Sequence, residues 1–423
     1  MRNTKIITSL SFRSLINRKL TVFLTIFSIA ISVMLILSVE KIRQDAKLSF
    51  ANTISGTDLI IGARSGSVQL LLYSVFRIGN ATNNILWKSY RSIVGRKDVK
   101  WTIPISLGDS HRGFRVMGTN KNYFKHYRYG QSRKLSFNIG KPFEDVFDTV
   151  LGAEVAAELG YKLEEQIVID HGIGSGRFSS HKDKPFQVVG ILKRTGTPVD
   201  RTVHISLGGM TAIHIDWKKG KRVPGLVIDA ETVRKMDLTP RSITAVLVGL
   251  KSRLSAFTAI REINNFRSEP LLAILPGVAL QELWGLMGTA EVALSTVSIL
   301  VVASGLLGML TMLLANLNAR RREMAILRSV GAQPSHVASM FVVEAIFISG
   351  VSCLIGLIMY YIGMIILQPI IEVRLGLFLP IAFPTLNEWV LLFLVMTGAA
   401  IAGLIPALMA YRRSVADGMT IRN

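Results

Sequence analysis

Three histidines in the middle of the chain stand close to acidic side chains. The segments VIDHG, SHKD and AIHID place His171, His181 and His214 each within two residues of an aspartate. Imidazole nitrogens and carboxylate oxygens are common ligands of Zn²⁺, so these three histidines are candidate metal ligands. Their spacing matches no compact metal-binding motif, and ordinary surface histidines beside acids are the alternative interpretation.

Motifs for nucleotide binding and hydrolysis are missing from the sequence. A phosphate-binding loop needs the pattern G-x-x-x-x-G-K-[ST], but the Gly-Lys pairs at 140–141 and 220–221 are followed by Pro142 and Arg222. The segment GIGSG (172–176) lies between two predicted strands, which favours a flexible loop. Neither H-E-x-x-H nor G-x-S-x-G occurs. We therefore expect a chain that is not an enzyme and carries no cofactor of its own.

A segment with four arginines, ARRREMAILRSVGAQPSHV (319–337), lies between two long apolar stretches. At about 100° per residue, a helix over 320–330 separates an apolar arc from a basic arc. The apolar arc holds Met324, Ile326, Leu327 and Val330, and the opposite arc holds Arg321, Arg322, Ala325, Arg328 and Ser329. Gly331 suits a left-handed C-cap, and Pro334 suits the first turn of a following helix. The pattern predicts a short amphipathic helix and a tight turn, and anchoring to anionic lipid is the simplest alternative role.

Four uncharged runs are long enough to cross a bilayer, which takes about 20 residues of helix. They cover 20–39, 292–319, 345–371 and 389–411, in a chain with a mean hydropathy of +0.41. The first run is too long for the apolar core of a cleaved signal peptide and lacks a small-residue cleavage site. We expect a multi-pass membrane protein with a retained N-terminal anchor.

Basic residues concentrate in three short segments beside these runs. The N-terminus, the loop between the second and third runs, and the C-terminal tail hold 12 basic residues against 2 acidic ones, which places all three in the cytoplasm. The predicted segments are a cytoplasmic amphipathic N-terminus (1–19), a first span (20–39), an extracytoplasmic domain (40–283), a second span with a stalk extension (284–319), a cytoplasmic coupling helix and turn (320–336), a third span (337–368), an outer loop (369–387), a fourth span (388–411) and a cytoplasmic tail (412–423).

The outer domain keeps part of the net charge of +21. Its location makes nucleic acid an unsuitable partner, so membrane lipid head groups, an acidic partner or acidic envelope polymers fit better. A solvated basic surface without an acidic target is the alternative.

The chain contains a single cysteine, Cys353, which excludes an intrachain disulfide. We expect it to be a buried small hydrophobe within the third span.

The spans contain few ionisable residues. Glu291 and Glu344 approach the bilayer, each at the edge of its run, whereas a polar conduit usually carries ionisable side chains along its interior. We expect Glu344, at the cytoplasmic end of the third span, to form an ion pair with the basic segment. Small residues in the spans allow close helix packing. The spans are therefore predicted to act as packed levers.

The outer domain has an α+β pattern. Near its start, TDLIIGAR (57–64) has a strand-like centre and SVQLLLYSVF (67–76) has helical spacing; near its end, ITAVLVGL (243–250), SAFTAIREINNF (255–266) and LLAIL (271–275) predict a strand, a helix and a further strand. These end segments predict one subdomain into which the middle is inserted. The middle holds predicted strands EQIVID (165–170), FQVVGIL (186–192) and TVHISL (202–207), and a helix AEVAAELG (153–160) with Gly160 as its C-cap.

The segment RRREMAILRSVGA resembles the cytoplasmic coupling segment of the MacB/FtsX-type permeases of ABC transporters. The similarity extends along the chain through VMGTNKNYF (116–124), VLGAEVAAELG (150–160), FQVVGILKRTGTPVDRTVHISL (186–207), VEAIFISGVSCLIGLIMYYIG (343–363) and GLIPALMAYRRSVADGM (403–419). The tail departs from the family, which usually ends in a more acidic, leucine-bearing run.

This resemblance implies a bacterial inner-membrane protein with four transmembrane α-helices. The large α+β extracytoplasmic domain would lie in the periplasm, between the first two helices, and consist of porter-like and sabre-like subdomains. The implied partners are a second permease chain, identical or not, a dimer of a separate cytoplasmic ABC ATPase that binds ATP and Mg²⁺, and a periplasmic adaptor or lipoprotein. By analogy, the ATPase-coupling residues are Arg321, Arg322, Glu323, Ile326, Arg328, Gly331 and Ala332.

Three functions remain open at the level of sequence. The first is a permease subunit that works by mechanotransmission and exports or extracts amphiphiles, lipoproteins or peptides. The second is an FtsX-like transmembrane regulator that activates an envelope hydrolase without transport; its outer domain would usually be much shorter. The third is a membrane-anchored binding or metal-handling protein. Fold analogy does not identify a cargo.

Overall fold

The computed structural model describes residues 18–172, 181–218, 221–222, 228–319, 324, 326, 329–375 and 381–416. The chain divides into two compact units. One, here called the membrane unit, combines residues 1–45, 288–372 and 379–423; the other, the outer unit, consists of residues 46–287 with 373–378. The main part of the outer unit begins at residue 46.

The α-helices in the described residues are either very long and apolar or short. They are α1 (Lys19–Thr53), α2 (Ser67–Leu71), α3 (Trp87–Val94), α4 (Asn122–His126), α5 (Ala153–Leu159), α6 (Leu207–Ile213), α7 (Ala230–Arg234), α8 (Ala256–Asn264), α9 (Pro276–Ala319), α10 (Pro334–Leu375) and α11 (Leu386–Ala416). Four of them are long and apolar enough to cross a membrane, through Lys19–Asp45, Pro276–Leu317, Pro334–Gln368 and Leu386–Arg412.

Small residues let the spans approach one another closely in the membrane unit. A Cβ added to Gly356 of α10 would lie 2.7 Å from the Ala30 carbonyl oxygen of α1. Gly403 of α11 contacts α10 in the same way, since its added Cβ would lie 2.6 Å from the Ala345 Cβ. Ser32 of α1 donates a hydrogen bond to the Val301 carbonyl of α9 at 3.2 Å. The helices are thus packed through backbone-to-backbone approach, as the small residues predict.

The strands belong to the outer unit. They are β1 (Leu59–Ala63), β2 (Ile85–Leu86), β3 (Val99–His111), β4 (Phe114–Thr119), β5 (Arg128–Tyr129), β6 (Arg133–Lys134), β7 (Phe137–Gly140), β8 (Asp148–Leu151), β9 (Gln166–Ile167), β10 (Asp170–His171), β11 (Phe186–Leu192), β12 (Thr202–Ser206), β13 (Trp217–Lys218), β14 (Lys221–Arg222), β15 (Ser242–Ile243), β16 (Ala245–Leu250) and β17 (Leu271–Ile274). The α+β pattern predicted from the sequence is confirmed.

Eleven of the described strands form one mixed sheet. Its order is β17-β1-β16-β3-β4-β12-β8-β11-β7, with β10 added to β3 and β9 added to β11. The strands from the two ends of the domain, β1, β16 and β17, are neighbours, so the predicted pairing of the ends is confirmed. The middle does not form a separate sheet, because β3 pairs with β16 through its first half and with β4 through its second.

Apolar side chains form separate clusters on the faces of this sheet. Ile60, Leu70 and Ile103 belong to one cluster, whereas Leu59, Val246 and Ala259 belong to another. The alternation of Leu59 and Ile60 between the two clusters follows from the two-residue repeat of a strand. A third cluster, around Val155, Phe186 and Val203, covers the far end of the sheet.

Three local predictions concern the cap at Gly160, the strand over 165–170 and the loop at 172–176. α5 ends at Leu159, and Gly160 follows it with φ +72°, so the predicted left-handed cap is confirmed. The predicted strand over 165–170 is only partly right, since two short strands, β9 and β10, stand on either side of residues 168–169. The loop predicted at 172–176 lies, after Gly172, outside the described residues.

Candidate functional site

The structure places only part of the predicted ATPase-coupling segment. Arg321, Arg322, Glu323 and Arg328 lie outside the described residues. Ile326 is exposed, and Gly331 has φ +97°, which is the left-handed conformation predicted for it. Ala332 follows in the turn, and α10 begins at Pro334, as predicted.

Glu344 lies in α10 and is buried. The arginines predicted to pair with it lie outside the described residues, so that ion pair stays a prediction. The third span begins at Pro334, so this buried carboxylate lies ten residues inside the span and not at its edge as predicted. An ionisable side chain at such a position sets this residue apart from its apolar neighbours. Cys353, in the same helix, is also buried, and its prediction as a buried residue is confirmed.

The three candidate metal ligands come together in the outer unit. His171, His181 and His214 each offer one nitrogen, and these nitrogens all lie within 4.8 Å of one another. The closest pair is His171 Nδ1 and His214 Nε2, 3.0 Å apart. The sequence places these histidines in different elements, so the fold alone brings them together.

A fourth side chain, Asp109, joins this cluster and was missed at the level of sequence. Its Oδ1 lies 3.1 Å from His171 Nδ1, and its Oδ2 lies 3.5 Å from His214 Nε2. The carboxylate is almost completely buried. Burial raises the pKa of Asp109, but the hydrogen bonds and charges of His171 and His214 outweigh it and hold that pKa well below its usual range.

Regular structure positions three of these four side chains. Asp109 on β3 and His171 on β10 are direct partners in an antiparallel pair. His214 follows the last residue of α6, and its Nδ1 lies 2.8 Å from the Met210 carbonyl oxygen, one turn earlier. The strand register and the helix end therefore fix the directions from which these groups approach.

His181 comes from a loop and is completely buried. Its backbone nitrogen donates to the Ile169 carbonyl at 3.0 Å, and the Trp217 ring packs on its imidazole with centroids 4.6 Å apart. Neither ring nitrogen has a hydrogen-bond partner among the described residues. The interpretation of this residue as a surface histidine is wrong. Burial lowers the pKa of His181 to about 4, so the imidazole is neutral at physiological pH.

A buried ion pair supports the loop. Lys184 is completely buried, and its ammonium lies 2.9 Å from Asp216 Oδ1 and 3.2 Å from Asp183 Oδ2. The Lys184 backbone nitrogen also donates to the His181 carbonyl. Because Asp216 lies two residues after His214, the pair ties the His181 loop to the end of α6. Two of the aspartates noted beside histidines in the sequence therefore pair with Lys184.

The cluster has the chemistry of a metal site. Burial lowers the pKa of His214, but the hydrogen bond and charge of Asp109 raise it by more. A divalent cation at the centre would balance the charge of the Asp109 carboxylate and could be bound by the three facing imidazoles. His171 and His214 are half-buried, so an ion could reach them from solvent.

Comparison with known protein families gives two matches. A model of the MacB-like periplasmic core domain matches residues 22–265, and a model of the FtsX-like permease C-terminal region matches residues 295–415. The first match includes most of the first span and most of the outer unit, and the second match covers part of the second span and all of the third and fourth spans. Among curated protein sequences, none matches the chain.

Two solved structures are also similar to parts of the chain. The extracellular domain of the noncanonic ABC-type transporter YknZ from Gram-positive bacteria is 13% identical, with 52% of this chain and 99% of that chain covered and a TM-score of 0.31. The periplasmic region of MacB from Actinobacillus actinomycetemcomitans is 11% identical, with 55% and 94% covered and a TM-score of 0.33.

Proposed function

Because the chain belongs to the MacB/FtsX-type family of ABC transporter permeases, we propose that it converts ATP hydrolysis by a separate cytoplasmic ATPase into movement of its outer domain. In this proposal the chain is a permease subunit in the bacterial inner membrane. Its outer domain faces the periplasm, and ATP and Mg²⁺ are bound by the ATPase.

One observation carries the proposal: the first two spans lead into neighbouring strands of the outer sheet. Only Leu275 separates the end of β17 from the start of α9 at Pro276, and α1 ends at Thr53, shortly before β1. β1 and β17 are hydrogen-bonded to each other. A displacement of either helix along its axis would therefore act on the same pair of strands.

Contacts within the outer unit fasten these helix ends to the domain. Tyr127 donates a hydrogen bond from its hydroxyl to the Thr53 carbonyl at 2.5 Å, and Ser67 donates to the Glu282 carboxylate. The Lys47 ammonium lies 5.7 Å from the centre of the Trp284 ring, so the two helix ends also contact each other. Ala279 belongs to the apolar core of the sheet. These ends are thus part of the folded domain and not loose connectors.

The length of α9 suits a lever. It has 44 residues, which corresponds to about 66 Å of helix against a hydrocarbon core of about 30 Å. In the membrane unit it contacts α1 again through Ser32 and through an ion pair between Arg43 and Glu291 at 3.8 Å. Two helices that are joined in this way transmit force together. We infer that the spans move as a packed group rather than line a polar conduit.

The proposed assembly contains two permease chains and two ATPase subunits, with a periplasmic adaptor or lipoprotein as a further partner. The proposed cargo is amphiphilic, lipoprotein or peptide in nature and is handled from the outer side of the membrane. Porter-like and sabre-like subdomains would correspond to the two parts of the sheet that share β3.

Charge reversal in the coupling segment tests the ATPase contact. The double variant Arg321→Glu/Arg328→Glu should lower the stimulation of the partner ATPase at least about tenfold, because interfacial charges would repel instead of attract. ATPase activity of the reconstituted complex is the measurement, and membrane insertion should be unchanged. Arg412→Glu makes the same Arg-to-Glu substitution at an exposed position near the end of α11, outside the coupling segment. This control variant should retain stimulation. Full stimulation by the double variant would contradict the coupling role.

A further inference from the structure

We propose that His171, His181, His214 and Asp109 form a binding site for one Zn²⁺ ion in the outer domain. The site is independent of the ATPase contact and of the cargo. It would join β3, β10, the His181 loop and the end of α6 through one ion.

The distances suit a four-coordinate ion. Zn–N bonds of about 2.0–2.1 Å in a tetrahedron place the ligand atoms about 3.3 Å apart. His171 Nδ1 and His214 Nε2 are 3.0 Å apart, and the Asp109 oxygens lie 3.1 and 3.5 Å from them. The His181 nitrogen lies within 4.8 Å of the other two. The proposed site requires the His181 nitrogen to approach the other two by at most about 1.5 Å.

The hydrogen bond of His214 directs its lone pair into the cluster. A carbonyl oxygen only accepts, so the 2.8 Å contact with the Met210 carbonyl requires the proton on His214 Nδ1. In the neutral imidazole, which is the form that binds a metal, the facing Nε2 then carries a lone pair. A metal-bound histidine usually donates its second nitrogen to a carbonyl in this way, which fixes the orientation of the ring.

His181 provides the second independent observation. Among the buried histidines that the structure describes, His111 has partners for both ring nitrogens and His204 has a partner for one. His181 has none, although it is completely buried. An unsatisfied buried polar group is costly, and a ligand bond to a metal removes that cost.

The charges also favour a cation over an anion. Asp109 brings a buried carboxylate into the cluster, and apart from the long 3.5 Å contact with His214 Nε2, its Oδ2 has no hydrogen bond among the described residues. The nearby cation Lys184 is paired with Asp183 and Asp216. Three imidazoles with one carboxylate suit Zn²⁺, whereas Mg²⁺ and Ca²⁺ prefer oxygen ligands alone.

Four protein ligands leave no open coordination position, which is typical of a structural site. The ion would therefore hold the end of α6 and the His181 loop against β3 instead of activating water. Since His171 and His214 are half-buried, the ion would exchange with the medium. The stability of this part of the outer domain would follow the availability of zinc.

Metal titration of the full-length chain tests the proposal. The purified protein in detergent is stripped with a chelator, dialysed and titrated calorimetrically with Zn²⁺, and bound metal is counted by elemental analysis. We expect one zinc ion per chain with sub-micromolar affinity, and no displacement by excess Mg²⁺ or Ca²⁺. Absence of zinc binding, or binding of Cu²⁺ without zinc, would overturn the proposal.

Variants assign the ion to the cluster. His181→Gln and His214→Gln should each weaken zinc binding at least about 100-fold, and Asp109→Asn by about 10- to 100-fold. The control is His126→Gln, a histidine of the same domain that stacks on Trp101 outside the cluster. Equal zinc affinity in the wild-type chain and in His181→Gln would refute the assignment.

Cobalt provides a measurement that needs no variant. Co²⁺ replaces Zn²⁺ in many sites, and its visible absorption is intense in four-coordinate sites and weak in six-coordinate ones. An intense spectrum that disappears on addition of zinc is expected for the wild-type chain. A weak, six-coordinate spectrum would overturn the proposed ligand set even if every variant failed to fold.

Discussion

At the scale of single residues, buried histidines distinguish two kinds of site in the outer domain. His181 faces two other histidines and a carboxylate, whereas His204 lies among aromatic rings, with Tyr123 centred 5.2 Å away. His204 Nδ1 contacts the Val150 carbonyl at 3.2 Å. Burial, and then the charge of Arg77, lower the pKa of His204 to about 3. This histidine is a neutral core residue, and its protonation should oppose folding.

The first prediction concerns this pKa. A histidine whose folded pKa lies below its unfolded value of about 6.5 stabilises the fold less as the pH falls through 6.5, because the unfolded chain takes up the proton first. Between pH 7 and pH 5, His204 should lower the free energy of unfolding by about 2 kcal/mol. In His204→Phe, the loss of stability over this interval should be smaller by that amount.

Unfolding by urea, followed by tryptophan fluorescence of the full-length chain, checks this difference. Four of the five tryptophans, at 87, 101, 217 and 284, belong to the outer unit. The histidine cluster is the same in both proteins, so its own titration cancels. If the free energy of unfolding falls equally with pH in the wild-type chain and in His204→Phe, His204 is not the group that causes the loss of stability.

The histidine cluster shows which parts of a site residue types and spacing can predict. Aspartates close in sequence drew attention to His171, His181 and His214, yet the aspartate that contacts them is Asp109, from a distant strand. Only the pairing of β3 with β10 brings Asp109 opposite His171. Local sequence patterns do not predict which distant strands pair or in which register. Asp109 therefore could not be identified as a member of the cluster from the sequence.

At the scale of elements, α9 connects a span to a strand of the outer sheet without a loop. Gly285 and Gly288 lie in this helix, and a Cβ at either position would meet nothing within 4 Å. Glycine weakens a helix interior by about 0.5–1 kcal/mol relative to alanine. No close packing in the described residues requires these glycines. They therefore lower the stability of this stretch of α9.

Interrupting this helix tests whether it transmits force. Leu286→Pro removes a backbone hydrogen bond and introduces a clash with the carbonyl of Glu282, at a helix cost of about 3 kcal/mol. Leu286 is exposed, so Leu286→Ala is a matched control. We expect the proline variant to retain the bound ATPase but to lose the nucleotide-dependent change in hydrogen exchange of β1 and β17. The alanine variant should keep that change, and an unaltered response in the proline variant would exclude α9 as the lever.

Sequence patterns predicted β11 and β12 in the middle of the domain as well as the strands at its ends, but they missed β3. β1, β16 and β17 have continuous apolar centres and were recognised, whereas β3 contains Pro104 and was not. Proline is normally confined to edge strands because it cannot donate to the ladder. Here the pairing of β3 with β4 starts only at Ser106, so Pro104 has a paired strand, β16, on one side only. The arrangement of the neighbouring strands thus accommodates a proline that local sequence rules would exclude from a central strand.

At the scale of the whole molecule, charge and hydropathy define the orientation. The basic segments lie at the ends of spans, and the four long helices agree with the four apolar runs. An even number of spans places both ends of a chain on the same side of the membrane. We therefore propose that the outer unit, which contains the sheet and the histidine cluster, is extracytoplasmic and that the coupling segment is cytoplasmic.

Thiol labelling checks this orientation. The natural Cys353 is buried, so single introduced cysteines can be followed. A membrane-impermeant maleimide applied to intact cells should label Leu254→Cys, a position that is 89% exposed in the outer unit. It should not label Gln333→Cys, which is exposed in the turn before α10. Labelling of Gln333→Cys in intact cells would reverse the topology and remove the basis of ATPase coupling.

The position of β1 in the sheet bears on biogenesis. Both of its neighbours, β16 and β17, are made at the far end of the domain, so almost the whole domain must be secreted before this early strand can find its partners. Until then its backbone amides and apolar side chains stay available to other chains. A ribosome stalled shortly before residue 245 would leave an export intermediate that needs a holding chaperone or is degraded.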